Sequence, residues 1–593
     1  MDKQTTLGFI LIGLVLIVWM WMQAPPPHQN RAPIADTTLS TVNPPEQKQQ
    51  EHQPTPQAAI SQGDSLGRFF SPLGSGDEKV VIVKTDLYTA EITTKGGLIR
   101  KWELTQYKTW DHHQTQLVDF DKGGDFSLLF TSSDGKLINT RHLFFRTKLS
   151  NWSTISLTGN QSYTLELELP LGNSRTIIKR FTFENGQYSF TADVVFKNVQ
   201  DVVSNYEYQV VWEHGIRYGE RNSVTESQSA MAFARSGGEI VEIDATNELP
   251  VEQDITGKTD WVATRTEYFA VVLMSADGKA QGAYLRGTHI PQLNHGAIEK
   301  YSVALKVPLL QSTDSSKFTV FLGPLDFNVV KSYGHDLDRI MNLGAAWIIR
   351  PIAEYVLIPL FHFLHLFIPN YGFVIIIFSI IIKVALHPLS KTSMKSMKKM
   401  QALQPLMTEI REKYKDDPQK MNQQVMNLYK EYGINPAAGC LPMLLQMPIL
   451  FALYSVFRSS IELRQAEFIW WIRDLSIPDV VFTLPFSIPI FGISEVSGLA
   501  LAMGVTMFVQ QKMTVTDPRQ AAMVWVMPIM MTLLFNGFPS GLNLYYFIFN
   551  LLSIAQQLWL NKHSENEPLR KVDKKTRGGG IMSRLTKNIP KLK

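Results

Sequence analysis

The strongest constraint in this chain is a set of apolar stretches between residues 351 and 560, each about the length that crosses a bilayer. Hydrocarbon offers no hydrogen-bond partners, so a segment entering it satisfies its backbone internally and reads as a helix. Five spans are predicted: Tyr371–Leu389, Leu441–Phe457, Val496–Gln511, Ala521–Phe538 and Leu542–Trp559. Several lie near the lower limit of roughly 17–25 residues. A sixth, "TTLGFILIGLVLIVWMWM" at Thr5–Met22, reads as an uncleaved anchor with Trp19 and Trp21 at the interface. One basic residue precedes it, and "MQA" is a poor cleavage site. The mean hydropathy of −0.04 hides this division between apolar and polar regions.

The rest of the chain differs in kind. Residues 24–65 are rich in Pro and Gln and read as a disordered tether. From 66 to 340, runs such as "YTLELELPL", "TIIKRFTFENGQYSFTADVVFKNV" and "YSVALKVPL" alternate with period two and are punctuated by Gly, Asn and Asp. That pattern predicts an all-β sandwich. Residues 341–370 contain "RPIAEYVLIPLFHFLHLFIPNYG", read as an amphipathic helix lying in the interface.

Charge gives the orientation. The connection 388–439 has 9 basic and 5 acidic residues, and the tail 562–593 has 10 basic and 3 acidic. Basic loops stay in the cytoplasm, so both termini are expected inside and the β-domain outside. Residues 24–350 carry 31 basic and 37 acidic residues, a balance that does not vote, because long domains translocate regardless of charge.

Lys383 lies inside the first of the five spans, "FVIIIFSIIIKVALHPLSK". A mid-span lysine costs roughly 2.5–3.5 kcal/mol on insertion scales. Snorkelling is one answer, since Pro388 is five residues away. The neighbouring spans favour another. Ser379 is one turn earlier on the same face, and Gln446, Thr506, Thr532, Asn543, Asn550, Ser553, Gln556 and Gln557 recur in the later spans. Interhelical pairing accounts for amides and hydroxyls, but no later span offers Lys383 a carboxylate. The expectation is a hydrophilic groove that is open on the cytoplasmic side and holds one fixed cation.

Residues 391–433 are predicted to form an amphipathic hairpin of two helices, the second opening with Asp417 as N-cap and Pro418 at its first position. Of the 22 Met, 15 fall between Met394 and Met531, which suits an adaptable apolar contact surface. Other candidates read as ordinary. Glu213 and His214 form a solvated strand end. His362 and His365 are interfacial polar groups rather than metal ligands. The lone Cys440 excludes an intrachain disulfide. No nucleotide loop, metal cluster or nucleophile–base pair is visible, so no catalytic residue, cofactor or metal is expected.

The segments "HPLSK", "LQP", "NPAAGCLPMLLQMPILFALY" and "FPSGLNLYYFIFN" resemble the signatures of the YidC family of bacterial membrane protein insertases. The long domain after the first span resembles the Gram-negative form, whose β-supersandwich is mutarotase-like. The resemblance implies an α-helical polytopic inner-membrane protein with six transmembrane helices and a periplasmic β-domain. Residues 371–560 would be a five-helix core enclosing a groove closed to the periplasm. The family marks that groove with an Arg, and Lys383 occupies the matching position, keeping the charge but not the planar fork. Ser379 matches the family's polar partner, Gln446 its third-span amide, and Tyr545 and Tyr546 its substrate-facing aromatics. The implied partners are nascent membrane proteins, the ribosome, the Sec translocon and membrane lipids, with no DNA; the basic tail 561–593 and the hairpin meet the ribosome and the translocon. Two rivals stand beside this reading: a small-anion transporter or channel using Lys383, and a carbohydrate enzyme in the β-domain.

Overall fold

The computed structural model describes residues 62–292, 296–434, 441–488, 492–514, 521–563 and 571. The predicted first span, most of the tether and tail, and Cys440 lie outside the described residues. The chain divides into two compact units, one ending at Ile340 and one beginning at Met341.

The first unit is built from strands, as the alternation predicts. Eight antiparallel strands form its largest sheet, with Thr313–Pro324, Ser189–Lys197, Arg175–Glu184 and Ser162–Gly172 adjacent in that order. A six-stranded sheet centres on Ala297–Pro308 and Glu207–Trp212, and a five-stranded sheet on Tyr88–Thr93 and Leu98–Lys108. Buried aromatics join the layers. Trp102 of the five-stranded sheet meets Phe190 of the eight-stranded one at 5.7 Å. Phe196 of the eight-stranded sheet meets Tyr208 of the six-stranded one at 4.6 Å. This is the expected sandwich, packed on inward faces.

The strand pattern did not announce Lys179. It is fully buried, and its ammonium donates to the carbonyls of Gly96 (2.9 Å), Gly97 (3.1 Å) and Phe126 (2.8 Å). Three donors meet three acceptors, so one side chain ties its own strand to two other chain segments. Glu213 is exposed, as expected of a strand end, but His214 is half-buried, and both belong to a polar cluster around the fully buried Asp125. Arg141 donates to Asp125 at 3.0 Å and to Glu213 at 3.1 Å, and His214 Nδ1 lies 3.2 Å from Asp125. A buried carboxylate needs such partners, and only the fold brings Asp125 to that strand end.

The second unit is helical. Helices occupy all five predicted spans: Tyr371–Ala385, Leu441–Ser459, Gly498–Thr514, Ala521–Phe535 and Ser540–His563. Among the described residues, no single helix is both long and apolar enough to cross a membrane alone; the pair Tyr371–Ala385 and His387–Ala402, bent by 62°, passes the same test together. The bend falls where Pro388 removes the N–H that would bond Val384. The hairpin also differs from expectation. Its first arm is two helices, His387–Ala402 and Gln404–Lys413, broken at Leu403 just before Pro405; the second arm is Pro418–Glu431, capped by Asp417 as predicted. Leu403, Met407, Leu428 and Ile434 form the seam between the arms. The connection 458–494 contains a β-hairpin, Val480–Ile488 with Ile493–Ser497.

The β-unit should carry a measurable pH dependence. Glu226 accepts from the N–H groups of Gly219 (3.1 Å) and Glu220 (2.9 Å), yet burial pushes its carboxyl up to about 8. An unfolded Glu titrates near 4.3, so the folded state holds the extra proton. Stability from this group is complete below about 4.3 and lost as pH rises to about 8. Thermal unfolding of the full-length protein, followed by tryptophan fluorescence at pH 5.5 and 8.5, should show a smaller drop for Glu226→Gln than for the unaltered chain.

Candidate functional site

Asn370 starts the first core helix, its side chain accepting from the N–H groups of Gly372 (2.9 Å) and Phe373 (3.3 Å). From there the helix has two faces. Ile375, Phe378, Ser379, Ile382 and Lys383 are buried; Phe373, Ile377, Ile380, Ile381 and Val384 are exposed. The exposed face is wholly apolar, and the polar residues point inward. Such an arrangement suits a surrounding solvent of lipid.

The last core helix, Ser540–His563, meets that buried face with Phe549, Ser553 and Gln557 at spacing four. Lys383 Nζ donates to Ser553 Oγ at 2.5 Å and sits 4.4 Å from the centre of the Phe549 ring. Ser553 Oγ in turn donates to the Phe549 carbonyl at 2.7 Å. Ser553 is the one acceptor the described residues give this ammonium, and no described carboxylate pairs with it. A hydrogen bond from a charged group is worth about 1.5–3 kcal/mol and a cation–π contact about 0.5–2 kcal/mol. Together they roughly offset the cost of a mid-span lysine. Nothing in the packing demands a cation, however. A Met of similar reach would cover Phe549 without being stripped of water.

The other expected residues divide. Ser379 is buried on the same face, but its hydroxyl donates to its own helix, to Ile375 at 2.7 Å, and does not touch Lys383. Tyr545 is fully buried beside Phe378 (5.9 Å) and Phe549 (5.8 Å). Gln446 faces the Tyr545 hydroxyl without closing a normal hydrogen bond. Tyr546 turns instead toward Phe535, edge to face at 5.2 Å. The geometry therefore gathers Lys383, Ser379, Tyr545 and Gln446, and directs Tyr546 to a neighbouring helix. Ser553 and Phe549 are the residues sequence reasoning left out of the site. Their signal was the four-residue repeat Phe549–Ser553–Gln557 facing the span that holds Lys383.

The two ends of the bundle are built differently. At one end, Asp479 caps helix Gly498–Thr514: it accepts from Leu499 N (2.8 Å), Ser497 Oγ (2.5 Å) and Trp471 Nε1 (2.8 Å). Asn536 accepts from Ser497 N (2.9 Å), and Ser540 Oγ donates to the Asp474 carbonyl (2.7 Å). These bonds lock connection 458–497 across the helix ends. At the other end, Gln401 donates to the Thr514 carbonyl (3.0 Å) and Lys398 to the Leu560 carbonyl (2.9 Å). Donors from the basic hairpin thus satisfy the last carbonyls of two core helices. His362 pairs with Glu462 at 3.0 Å and His365 stacks on Tyr371 at 4.1 Å, so neither approaches the other as a metal pair. In the β-unit, a cleft of about 670 Å³ is lined by residues including Trp110, Trp152, Phe120, Arg217 and Glu103.

Fold and site together define an inner-membrane protein: a helical unit with apolar outward faces and a buried cation in its seam, joined to a β-sandwich. Comparison with known proteins agrees. The family model described as "60Kd inner membrane protein" matches residues 363–567, and that of the YidC periplasmic domain matches residues 80–355. Membrane protein insertase YidC of Chlorobaculum parvum is 37% identical over 577 residues, covering 96% of each chain. That of Pelodictyon phaeoclathratiforme is 39% identical over 569 residues, covering 95% of each. The chain belongs to the YidC family of membrane protein insertases. Among solved structures, an active YidC insertase with its first transmembrane domain resolved is 20% identical, with a TM-score of 0.35, covering 83% of this chain and 94% of that one. A putative aldose 1-epimerase of Escherichia coli is 9% identical, with a TM-score of 0.27, covering 42% of this chain and all of that one.

The Asp479 cap gives a direct test. Asp479→Ala strands the buried Leu499 N–H and Ser497 hydroxyl together with the partly exposed Trp471 indole N–H, and should cost about 1–3 kcal/mol, lowering the thermal midpoint in detergent. Asp479→Asn, which keeps one acceptor, should cost less. Equal midpoints for all three proteins would exclude the capping role.

Proposed function

We propose that this chain is a non-enzymatic insertase and membrane chaperone with six membrane helices. In this reading both termini are cytoplasmic and the β-sandwich is periplasmic. Clients enter a hydrophilic groove that opens to the cytoplasm and to lipid, alone or beside the Sec translocon. The observation that carries the reading is the Lys383 ammonium, buried between two core helices with one hydroxyl for three N–H donors. Lys179, buried in the β-unit, has all three of its donors matched by carbonyls. The first arrangement leaves capacity for an incoming polar group; the second leaves none.

The mechanism follows from these groups. A polar or acidic segment of a nascent chain is drawn to the fixed positive charge, which shortens its path through hydrocarbon. Tyr545, Gln446 and Ser379 line the seam it meets. The apolar segment of the client then leaves sideways into lipid, and the energy comes from burial of client surface rather than from a nucleotide. Two observations favour this over a small-anion channel. The hydrogen-bonded cap around Asp479, Ser497 and Asn536 spans one end of the bundle, where a through-pore needs an opening. The basic hairpin stands at the other end, where ribosome-bound clients would arrive. The methionine-rich surface serves the chaperone role by accepting varied apolar segments.

Lys383→Ala and Lys383→Met should each reduce insertion of a client with an acidic translocated segment several-fold in proteoliposomes, while Lys383→Arg should insert nearly as well as the unaltered chain. A client with a short uncharged translocated segment should be much less affected. Equal insertion of both clients by Lys383→Ala, at matched protein levels, would overturn the reading.

A further inference from the structure

The β-hairpin of connection 458–497 has no role in the groove, and its surface is unusual. Val480–Ile488 pairs with Ile493–Ser497 in an irregular register, shifted after Val480 and after Thr483, and it leaves Val480, Val481, Phe482 and Phe486 exposed. Phe482 is 50% and Phe486 61% exposed. No charged residue occurs between Asp479 and Glu495. An isolated two-stranded hairpin is marginal in water, and one that exposes its apolar side chains needs a cover.

The root of the hairpin fixes its depth. Asp479, which opens it, caps helix Gly498–Thr514, and strand Ile493–Ser497 runs into that helix without a break. The segment before it is tied to the start of the first core helix: Asn370 donates to the Glu467 carbonyl at 3.0 Å, and Phe373 packs on Phe468 at 5.3 Å. The hairpin therefore leaves the bundle at the level where membrane helices begin. The neighbouring chain marks the same level. Trp470 and Trp471 stack there at 5.8 Å, partly exposed, and aromatics of this kind favour the membrane–water boundary. Below, Leu501, Val505 and Val509 continue the exposed apolar surface down helix Gly498–Thr514 at spacing four.

We infer that this hairpin lies in the headgroup–acyl boundary of the leaflet facing away from the basic hairpin, with the exposed Phe482 and Phe486 side chains against lipid. The inference rests on the membrane placement of the core. Lipid is the occupant because the apolar surface is continuous with the outward face of a membrane helix, and because residues 480–494 offer a protein partner no charge to read. Pro485 removes one N–H from the long strand, which weakens pairing with a second copy. The hairpin is then an apolar anchor that holds connection 458–497, and with it the Asp479-capped end of the bundle, at a constant depth.

Depth-resolved quenching tests this. In full-length protein carrying Cys440→Ser, single cysteines replacing Phe482, Phe486 or Val505 are labelled with an environment-sensitive fluorophore and reconstituted alone into phosphatidylcholine vesicles. Probes at 482 and 486 should lose at least half their emission to lipids brominated near the headgroup end of the chain, and little to aqueous iodide. The probe at 505 should respond most to lipids brominated near mid-chain. Iodide quenching at 482 and 486, with Val505→Cys still responding to lipid, overturns the hairpin inference alone. Failure at 505 as well overturns the membrane placement beneath it. Protection at 482 and 486 that appears only at high protein density, or only after a translocon is added, assigns the face to a protein partner and also overturns the inference. Slow amide exchange across 480–488 of the unaltered chain in vesicles, becoming fast in mild detergent, supports lipid as the cover without any substitution.

Discussion

A charge taken out of water must find partners, and two buried lysines of this chain meet that demand in different ways. Lys179 lies at the centre of the β-unit and is answered by three backbone carbonyls. Burial holds its ammonium well below the ordinary lysine range, and the carbonyl cage accepts whatever protons remain. Lys383 lies between the first and last core helices with one serine hydroxyl and one aromatic face. The first lysine is a structural pin. The second has fewer partners among the described residues and lies on the buried faces of the two helices.

Around Lys383 the helical unit follows the logic of lipid rather than water. Its apolar residues, such as Ile377, Ile380 and Val384, face out, while Ser379, Thr506, Asn543, Ser553 and Gln557 are buried. Many of the buried groups are satisfied locally: Ser379 bonds Ile375, Thr506 bonds Met503, and Asn543 bonds the Phe535 carbonyl. Such bonds hold helices together without implying function. They also explain why a bundle this rich in amides contains no single described helix that is both long and apolar. The polar end-caps differ correspondingly. Asp479 and Asn536 close one end with bonds between a connection and helix termini, whereas Lys398 and Gln401 reach into the other end from a hairpin made of separate, jointed helices.

Much of this was legible in residue order. The β-sandwich followed from period-two alternation, the five core helices from their apolar runs, and the Asp417 cap from its Pro418 neighbour. That Lys383 lacks a carboxylate partner among the described residues also followed from the spans, none of which offers one. Other features were hidden because they depend on contacts distant in the chain. Lys179 sits in "TIIKRFTF", where it reads as one more strand residue. Glu213 and His214 read as solvated because Asp125 and Arg141 lie about 90 and 70 residues earlier. Ser379 was paired with Lys383 by helical spacing, yet its hydroxyl prefers a carbonyl on its own helix.

Residue order alone determined which segments are apolar, where Lys383 interrupts one of them and which connections carry positive charge. These are properties of solvation, and they add up one residue at a time. Tertiary structure decided that Ser553 and Phe549 receive Lys383, that Tyr546 turns to Phe535 and that Asp479 caps helix Gly498–Thr514. Those are matters of geometry across long loops, where a short hydrogen bond or a ring contact selects one partner among several that spacing permits equally.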